Sequence, residues 1–206
     1  MKLVFATGNK GKLREAREIL EGIMEVVSPA DMGIYEDVPE TGTTLEENSL
    51  QKAQAYKALC GLDCFADDTG LEVDALGGAP GVHAARYATD IARRDGLPEP
   101  PDHDFAANID ALLSELSKHP GEPRTARFRS VVTLLLDGEI HCFEGTLEGR
   151  IADRRSGSGG FGYDPVFIAD DYPQCSVAEL PEDTKNAISH RGKALRAMAR
   201  WLQERE

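Results

Sequence analysis

The sequence predicts an α/β fold, and two stretches carry most of that prediction. The apolar run from Leu3 to Ala6 ends at a Thr-Gly-Asn turn and leads into an amphipathic pattern over residues 11–21, as expected of a strand followed directly by a helix. Farther along, two alternating or β-branched runs within residues 127–147 are separated by Asp137-Gly138, the strongest short hairpin signal in the chain. Together these stretches indicate a sheet with flanking helices.

The remaining elements follow from caps, periodicity and helix breakers. Thr44 and Glu47 form a capping box that predicts a helix ending near Leu59, and helical spacing places Asn48 and Lys52 on one face of that helix. The other elements expected, in chain order, are a polar loop over 36–43, two short strands within 63–75 on either side of an acidic turn, a rigid loop over 77–81, a charged connector over 89–101, a helix over 105–116, a glycine-rich loop over 153–165, a short strand over 165–168 and a final helix over 189–205.

Size and composition bound the class of protein. The chain has 206 residues, of which 41% are hydrophobic, and this suits one domain or two small lobes around a buried core. Every apolar stretch is shorter than the roughly 20 residues that cross a bilayer, and the first is too short for the core of a signal peptide. We therefore expect no membrane partner and a cytoplasmic location.

Charge and cysteine usage exclude two further classes. A formal net charge of −13 argues against binding nucleic acid, because a phosphate backbone requires a basic face. A single polyphosphate needs only a local basic cluster and a metal, so such a ligand stays possible. The four cysteines contain no C-x-x-C pair, and a chain of this length needs no disulfides, so we interpret them as buried or incidental thiols.

The first turn of the chain is a candidate phosphate site. A strand that ends in a glycine-containing turn before a helix directs free backbone N–H groups outward at the positive end of the helix. Lys10 and Lys12 add positive charge to this turn. It is not a Walker P-loop, because Gly8 and Gly11 are too close together and neither Ser nor Thr follows Lys12. On these residues alone, an ordinary turn between strand and helix is an open alternative.

A second candidate site lies at Asp67 and Asp68, which follow a short apolar segment and precede Thr69-Gly70. Carboxylates are the ligands that Mg²⁺ prefers, and this ion usually reaches a protein through one or two carboxylates plus substrate phosphate oxygens. A phosphate cradle with an acidic metal site points to nucleotide chemistry. The alternative is that both aspartates are turn residues capping the next element.

The glycine-rich segment over residues 157–162 matches the letters of a dinucleotide-binding motif, G-x-G-x-x-G. That motif requires a strand before it and a helix after it. The preceding residues are polar, and Pro165 prevents a helix from beginning there. The loop instead suits close approach of backbone and one aromatic side chain, Phe161 or Tyr163, to a planar ligand.

Six separated motifs stand out along the chain: Ala6 to Lys12, Glu40-Thr41-Gly42 with Glu47-Asn48, Ala66 to Leu71, Leu76 to Gly81, Gly160 to Pro165, and Ser189 to Gly192. Taken together, they resemble the inosine/xanthosine triphosphate pyrophosphatase family, also called the Ham1-like family, in family order from residue 3 to residue 201. The resemblance implies one domain over residues 1–206, with a mixed curved sheet and flanking helices in two lobes around a central cleft. It also implies a homodimer, Mg²⁺ dependence and hydrolysis of ITP, dITP and XTP to the monophosphate and pyrophosphate.

The resemblance also implies roles for individual residues. Asp68 corresponds to the metal-binding catalytic acid or base, and Glu40 to the second carboxylate on the metal. Thr69 stands where the family usually has Ser, a departure that keeps the hydroxyl. The other implied substrate-binding residues are Thr7, Gly8, Asn9, Lys10, Gly11 and Lys12 in the triphosphate cradle, and Phe161, Gly162, Tyr163, Asp164, Lys185, His190 and Arg191 in the base and phosphate pocket.

Several alternatives stay open at this point. Lys12, Lys52 and Lys185 are natural electrostatic partners of a leaving pyrophosphate, although Lys52 equally suits a solvated helix face. Arg86 suits a cleft wall or a structural salt bridge, and residues 89–104 resemble the family least. The rival functions are a nucleotide sensor with a disabled site, which the intact aspartate pair disfavours, and a related house-cleaning pyrophosphatase acting on pyrimidine or other modified nucleotides.

Overall fold

The computed structural model describes residues 2–101 and 103–205. By internal contacts the chain forms two compact units. The first unit comprises residues 1–69, 129–146 and 189–206, and the second comprises residues 70–128 and 147–188. No helix in the described part of the chain combines the length and the apolar character that crossing a bilayer requires.

Over the described residues the sheet has seven strands and mixed directions, and the mixed directions agree with the fold that the family resemblance implied. Its main path runs β2-β1-β3-β5-β6-β7, and β4 pairs with β3 off that path. Strand β1 is parallel to both β2 and β3, whereas β3–β4 and β6–β7 are antiparallel pairs. The strands are β1 (Lys2–Phe5), β2 (Glu25–Val27), β3 (Cys64–Val73), β4 (Pro80–Gly81), β5 (Thr125–Leu136), β6 (Glu139–Ile151) and β7 (Phe167–Ala169).

The helices begin where the sequence supplies caps. The Asn9 side chain accepts hydrogen bonds from two amides of the first turn of α1, and Thr44 forms the predicted capping box with Glu47 at the start of α2. Ser189 caps the final helix through the amide of Gly192. The helices are α1 (Lys10–Ile19), α2 (Leu45–Cys60), α3 (Tyr87–Asp95), α4 (Phe105–Ser117), α5 (Glu182–Ile188) and α6 (His190–Glu204).

Each unit has its own hydrophobic core. In the first unit, Phe5 of β1 and Phe65 of β3 stack with their ring centroids 4.4 Å apart, and Leu195 and Met198 of α6 are fully buried in the same cluster. In the second unit, Leu112 of α4 belongs to the equivalent buried cluster. Burial of these side chains is the main favourable contribution to folding.

The hairpin formed by β5 and β6 confirms the turn prediction. Asp137 and Gly138 both have positive φ, 53° and 84°, as a two-residue type I′ turn requires. The glycine at the second position adopts this conformation without the steric cost that a side chain would add.

One prediction about the sheet was wrong. Residues 63–75 are not two short strands around an acidic turn, because β3 continues through Asp67 and Asp68, and both aspartates are buried within it. Acidic residues normally disfavour a strand interior. Here each carboxylate has a cationic or amide partner from a helix, Lys12 or Asn48, so its backbone remains in the sheet.

The predicted connector over 89–101 was also wrong in its first half, which belongs to α3. This helix has no side-chain cap of its own; instead Asn108 of α4 accepts a hydrogen bond from the Ala88 amide and donates one to the Ala85 carbonyl. The predicted rigid loop over 77–81 contains β4, and β2 and α5 had not been predicted. Asp102 lies outside the described residues.

The start of α6 packs directly on β6 at Gly145. A Cβ at this position would overlap the backbone oxygen of His190 and lie 2.7 Å from the amide nitrogen of Ala194. Lys193 also donates a hydrogen bond to the Thr146 carbonyl oxygen, at 2.8 Å. Only glycine at position 145 therefore permits this approach of helix to strand.

We expect Gly145→Ala to lower the free energy of unfolding by about 1–3 kcal/mol, the usual cost of overpacking, because the added Cβ meets backbone that cannot rotate away. The matched control is Ile140→Ala on the same strand, where the side chain is 53% exposed. Denaturant titration of both variants measures the difference. Equal stability of Gly145→Ala and the unsubstituted protein would contradict the proposed packing.

Candidate active site

The turn between β1 and α1 forms a polar rim at the positive end of α1. The amides of Gly11 and Lys12 donate to Asn9 Oδ1, at 2.9 and 3.1 Å, and the Asn9 amide donates to Thr7 Oγ1. Residues 8–11 are exposed, and this rim borders a cavity of about 500 Å³. The expectation of free amides here is partly corrected, since those of Gly11 and Lys12 are occupied by the Asn9 cap.

Asp67 is almost fully buried in β3 and is paired with Lys12 of α1. The Lys12 Nζ lies 2.8 Å from Asp67 Oδ2. Burial disfavours the charged carboxylate, but Lys12, Lys52 and Arg191 together hold the pKa of Asp67 below its usual range. Cations on three helices therefore favour the charged form of Asp67.

Asp68, the next residue, has different partners and the opposite shift. Asn48 Nδ2 donates to Asp68 Oδ2 at 3.0 Å, and the Lys52 Nζ lies 3.9 Å from Asp68 Oδ1. Burial, reinforced by the nearby Glu40 carboxylate and opposed by Lys52, raises the pKa of Asp68 to about 6. At neutral pH the group is mostly ionised and able to accept a proton.

Lys52 lies between two carboxylates rather than on a solvated helix face. Its Nζ is 2.6 Å from Glu40 Oε1, and its side chain is 13% exposed. Burial opposes its charge, but Asp67, Asp68 and Glu40 raise the pKa of Lys52 above its ordinary value. The ammonium group thus marks the place where a cation is stabilised by both Glu40 and Asp68.

Asn48 is a site residue that sequence reasoning left without a role. It is 2% exposed, and besides donating to Asp68 it accepts a hydrogen bond from the Gly42 amide through Oδ1, at 2.8 Å. A Cβ at Gly42 would lie 2.7 Å from that same oxygen. Asn48 therefore ties Asp68 to the loop that carries Glu40. The available signal was its helical spacing from Lys52.

Glu40 and Asp68 supply the kind of oxygen ligands that a divalent metal ion prefers. No group of three His, Cys, Asp or Glu side chains suited to a metal occurs among residues 2–101 and 103–205. Glu40 and Asp68 converge on the same ammonium group, so they form a two-carboxylate donor set. Mg²⁺ commonly uses such a set together with phosphate oxygens.

The N-terminal turn of α6 belongs to the same unit and contributes His190 and Arg191. Arg191 Nε donates to Glu15 Oε2 of α1 at 2.7 Å, and its side chain is 14% exposed. Burial, with the adjacent Arg191 charge, lowers the pKa of His190 to about 3, so the imidazole is neutral at physiological pH. Glu15 also accepts from Ser189 Oγ and fixes α6 against α1.

Thr69 is half-buried next to these carboxylates. Its amide donates to Asp68 Oδ1 at 3.0 Å, and its hydroxyl donates to Ser130 Oγ of β5 at 3.1 Å. Ser130 is fully buried, so the hydrogen bond to it fixes the Thr69 side chain against the interior of the unit.

The other predicted pocket residues belong to the second unit. Phe161 is 67% exposed, whereas Tyr163 is buried and donates a hydrogen bond to the Ala84 carbonyl oxygen. Burial raises the pKa of Asp164, whose Oδ2 accepts from the Phe161 amide while Lys185 opposes the shift. Phe161 therefore offers an exposed ring, and the Tyr163 ring packs in the core.

The predicted site residues thus divide between the units. The first unit brings together Lys12, Asp67, Asp68, Glu40, Lys52, His190 and Arg191 beside the turn of residues 7–12. The second holds Phe161, Gly162, Tyr163, Asp164 and Lys185. Arg86, also in the second unit, is exposed and donates to His83 Nδ1 at 3.4 Å.

The chain is similar to known proteins in both sequence and structure. The chain is 51% identical over 201 residues to a dITP/XTP pyrophosphatase of Porphyromonas gingivalis, covering 98% of this chain and 97% of that protein. It is 43% identical to the dITP/XTP pyrophosphatase of Bacillus subtilis, covering 97% and 96% of the two chains. A HAM1 protein of Coxiella burnetii has a similar structure, with a TM-score of 0.88 at 34% identity over 99% of both chains.

A model of the Ham1 family matches residues 3–201, nearly the whole chain. This match and the full-length relatives agree with the motifs around the buried aspartates. The chain therefore belongs to the Ham1 family.

Proposed function

We propose that this protein hydrolyses the deaminated purine nucleotides ITP, dITP and XTP to the monophosphate and pyrophosphate, and so removes them from the nucleotide pool. One observation carries the proposal: two adjacent buried carboxylates, Asp67 and Asp68, are held by Lys12 and Lys52 beside a helix N-terminus. Such a cluster combines metal binding with phosphate binding. The relatives named dITP/XTP pyrophosphatase support this substrate class.

We assign to Asp68 the role of orienting and deprotonating the attacking water. Pyrophosphate release requires water to attack the α-phosphorus, and a carboxylate within hydrogen-bonding reach can orient that water and accept its proton. A pKa near 6 gives Asp68 a basicity suited to this task near neutral pH, and Asn48 fixes the orientation of its carboxylate. Mg²⁺ held by Glu40 and Asp68 would neutralise negative charge that accumulates on the phosphates.

The lysines and the first turn bind the triphosphate in this proposal. Lys12 and Lys52, which lie 2.8 Å from Asp67 and 2.6 Å from Glu40, are assigned to the phosphates of the leaving group. The exposed backbone of residues 8–11 provides the cradle, and Lys185 of the second unit is assigned to the same role.

Base recognition requires groups that accept a 6-oxo purine and reject a 6-amino group. We assign this to Phe161, whose exposed ring offers a stacking surface, and to His190 and Arg191. The low pKa of His190 keeps its imidazole neutral, with both a donor and an acceptor nitrogen. Homodimerisation, which the family resemblance implies, is also part of the proposal. So is a cytoplasmic location, which rests on the short apolar stretches of the sequence.

The first test is a substrate panel. We expect kcat/KM for ITP, dITP and XTP to exceed that for ATP and GTP by at least about 10²-fold, because a site built on hydrogen bonds leaves groups unpaired when the base changes. The products from ITP should be IMP and pyrophosphate, quantified by chromatography. Comparable kcat/KM for ATP and ITP, or IDP with inorganic phosphate as primary products, would exclude the proposal, and a preference for pyrimidine or other modified nucleotides would favour the rival pyrophosphatase.

Asp68→Asn tests the catalytic assignment. We expect kcat to fall at least about 10²-fold, since the amide neither accepts the proton of water nor supplies charge to the metal. The fold should survive, because the side-chain oxygen of an asparagine at this position still accepts a hydrogen bond from Asn48. Circular dichroism can verify that the variant is folded. The matched control is Asp63→Asn, which removes a carboxylate paired with Lys57 just before β3. Normal turnover by folded Asp68→Asn in Mg²⁺ would refute the assignment.

A further inference from the structure

Two of the four free cysteines meet at one end of the first unit. The sulfur atoms of Cys60 and Cys64 lie 3.5 Å apart. Among the described residues, the other cysteine with a near polar partner is Cys142 of β6, whose sulfur lies 3.7 Å from the Thr133 hydroxyl of β5. The sequence spacing C-x₃-C gives no known redox motif, so only the structure identifies this pair.

The local backbone explains why the two sulfurs converge. Cys60 is the last residue of α2, and Gly61 ends the helix in the left-handed region at a φ of 69°. The chain then reverses within two residues, and Cys64 begins β3. Both sulfurs lie near one carbonyl oxygen, that of Leu62, at 3.9 Å for Cys60 and 3.3 Å for Cys64. The two side chains therefore point to the same side of the turn.

We propose that Cys60 and Cys64 form a covalent modification site that reacts with a small-molecule disulfide and closes to an intramolecular disulfide bond. The reaction takes two exchange steps. The Cys60 thiolate attacks the small disulfide, forming a mixed disulfide and releasing one thiolate. Cys64, after losing its proton to solvent, attacks the Cys60 sulfur and releases the second thiolate. Two protein thiols are oxidised and one small disulfide is reduced to two thiols.

Burial decides the order of these steps. Cys60 is half-buried and can meet a reagent from solvent, whereas Cys64 is fully buried. Burial also raises the pKa of the Cys64 thiol, so it is a poor first nucleophile. As the second nucleophile it is already next to its target. Closing the bond needs an approach of about 1.5 Å, from the observed contact to a bond of about 2.05 Å.

The bond would connect two elements of the proposed site at their far ends. Helix α2 carries Asn48 and Lys52, and β3 carries Asp67 and Asp68. A covalent link between the end of α2 and the start of β3 restricts how far these elements can separate.

The test uses the full chain with Cys142→Ser and Cys175→Ser, so that only the pair reacts. We expect folded protein treated with oxidised glutathione to lose both thiols, to lose about 2 Da in mass and to carry no glutathione. A peptide containing Cys60 linked to Cys64 should be found after digestion. The added change Cys64→Ser should instead trap one glutathione on Cys60, and Cys60→Ser should leave Cys64 unmodified until the chain is unfolded.

Three results would overturn the inference. They are a stable glutathione adduct on Cys60 while Cys64 stays reduced, no reaction of either thiol in the folded protein, and a disulfide that joins two chains. Circular dichroism of each variant before treatment ensures that every result refers to folded protein. The matched Cys64→Ser variant shows whether Cys60 reacts at all, so a negative result can be assigned either to the first step or to closure of the disulfide bond.

Discussion

The first unit depends on the burial of two adjacent carboxylates in the middle of β3. An ionised carboxylate taken out of water without partners is costly by several kcal/mol, and in that case the group neutralises or the structure rearranges. Here Asp67 contacts Lys12, and Asp68 contacts Asn48 with Lys52 nearby. These partners come from α1 and α2, so the strand keeps its aspartates only if both helices are in place.

The elements around β3 are arranged to meet that requirement. The Asn9 cap fixes the first turn of α1 and thereby positions Lys12, while the Thr44–Glu47 capping box fixes the first turn of α2, which contains Asn48. Gly145 lets α6 lie directly on β6, and its N-terminal turn then places Arg191 against Glu15 of α1. Local capping residues thus fix the helix ends from which Lys12 and Asn48 reach the aspartates of β3, which are distant in sequence.

What could be predicted from sequence follows from the range of the interactions. The capping box at Thr44, the Asp137-Gly138 turn and the final helix were predictable, because each is specified by residues within a few positions. The continuity of β3 was not predictable, because adjacent aspartates are typical of turns and the partners of Asp67 and Asp68 are distant in sequence. Likewise α3 was missed because its N-terminus is capped by Asn108 of another helix.

The candidate site shows the same division. Motif order pointed to Asp68, Glu40 and residues 7–12 as one functional group, and the structure places Asp68 and Glu40 on either side of Lys52. The role of Asn48 depends on two hydrogen bonds, one to Asp68 and one from Gly42, that no local pattern specifies.

Adjacent residues of a strand direct their side chains to opposite sides of the sheet. Two neighbouring aspartates can therefore lie in different surroundings. Asp67 meets the Lys12 ammonium in an ion pair, and its pKa is lowered; Asp68 meets an amide and a more distant ammonium, and its pKa is raised to about 6. When the surroundings of two neighbouring carboxyl groups shift their pKa values in opposite directions, one group can stay charged while the other acts as an acid or base. In the proposed reaction Asp67 therefore anchors the cations that face the phosphates, and Asp68 is the residue whose protonation can change during turnover.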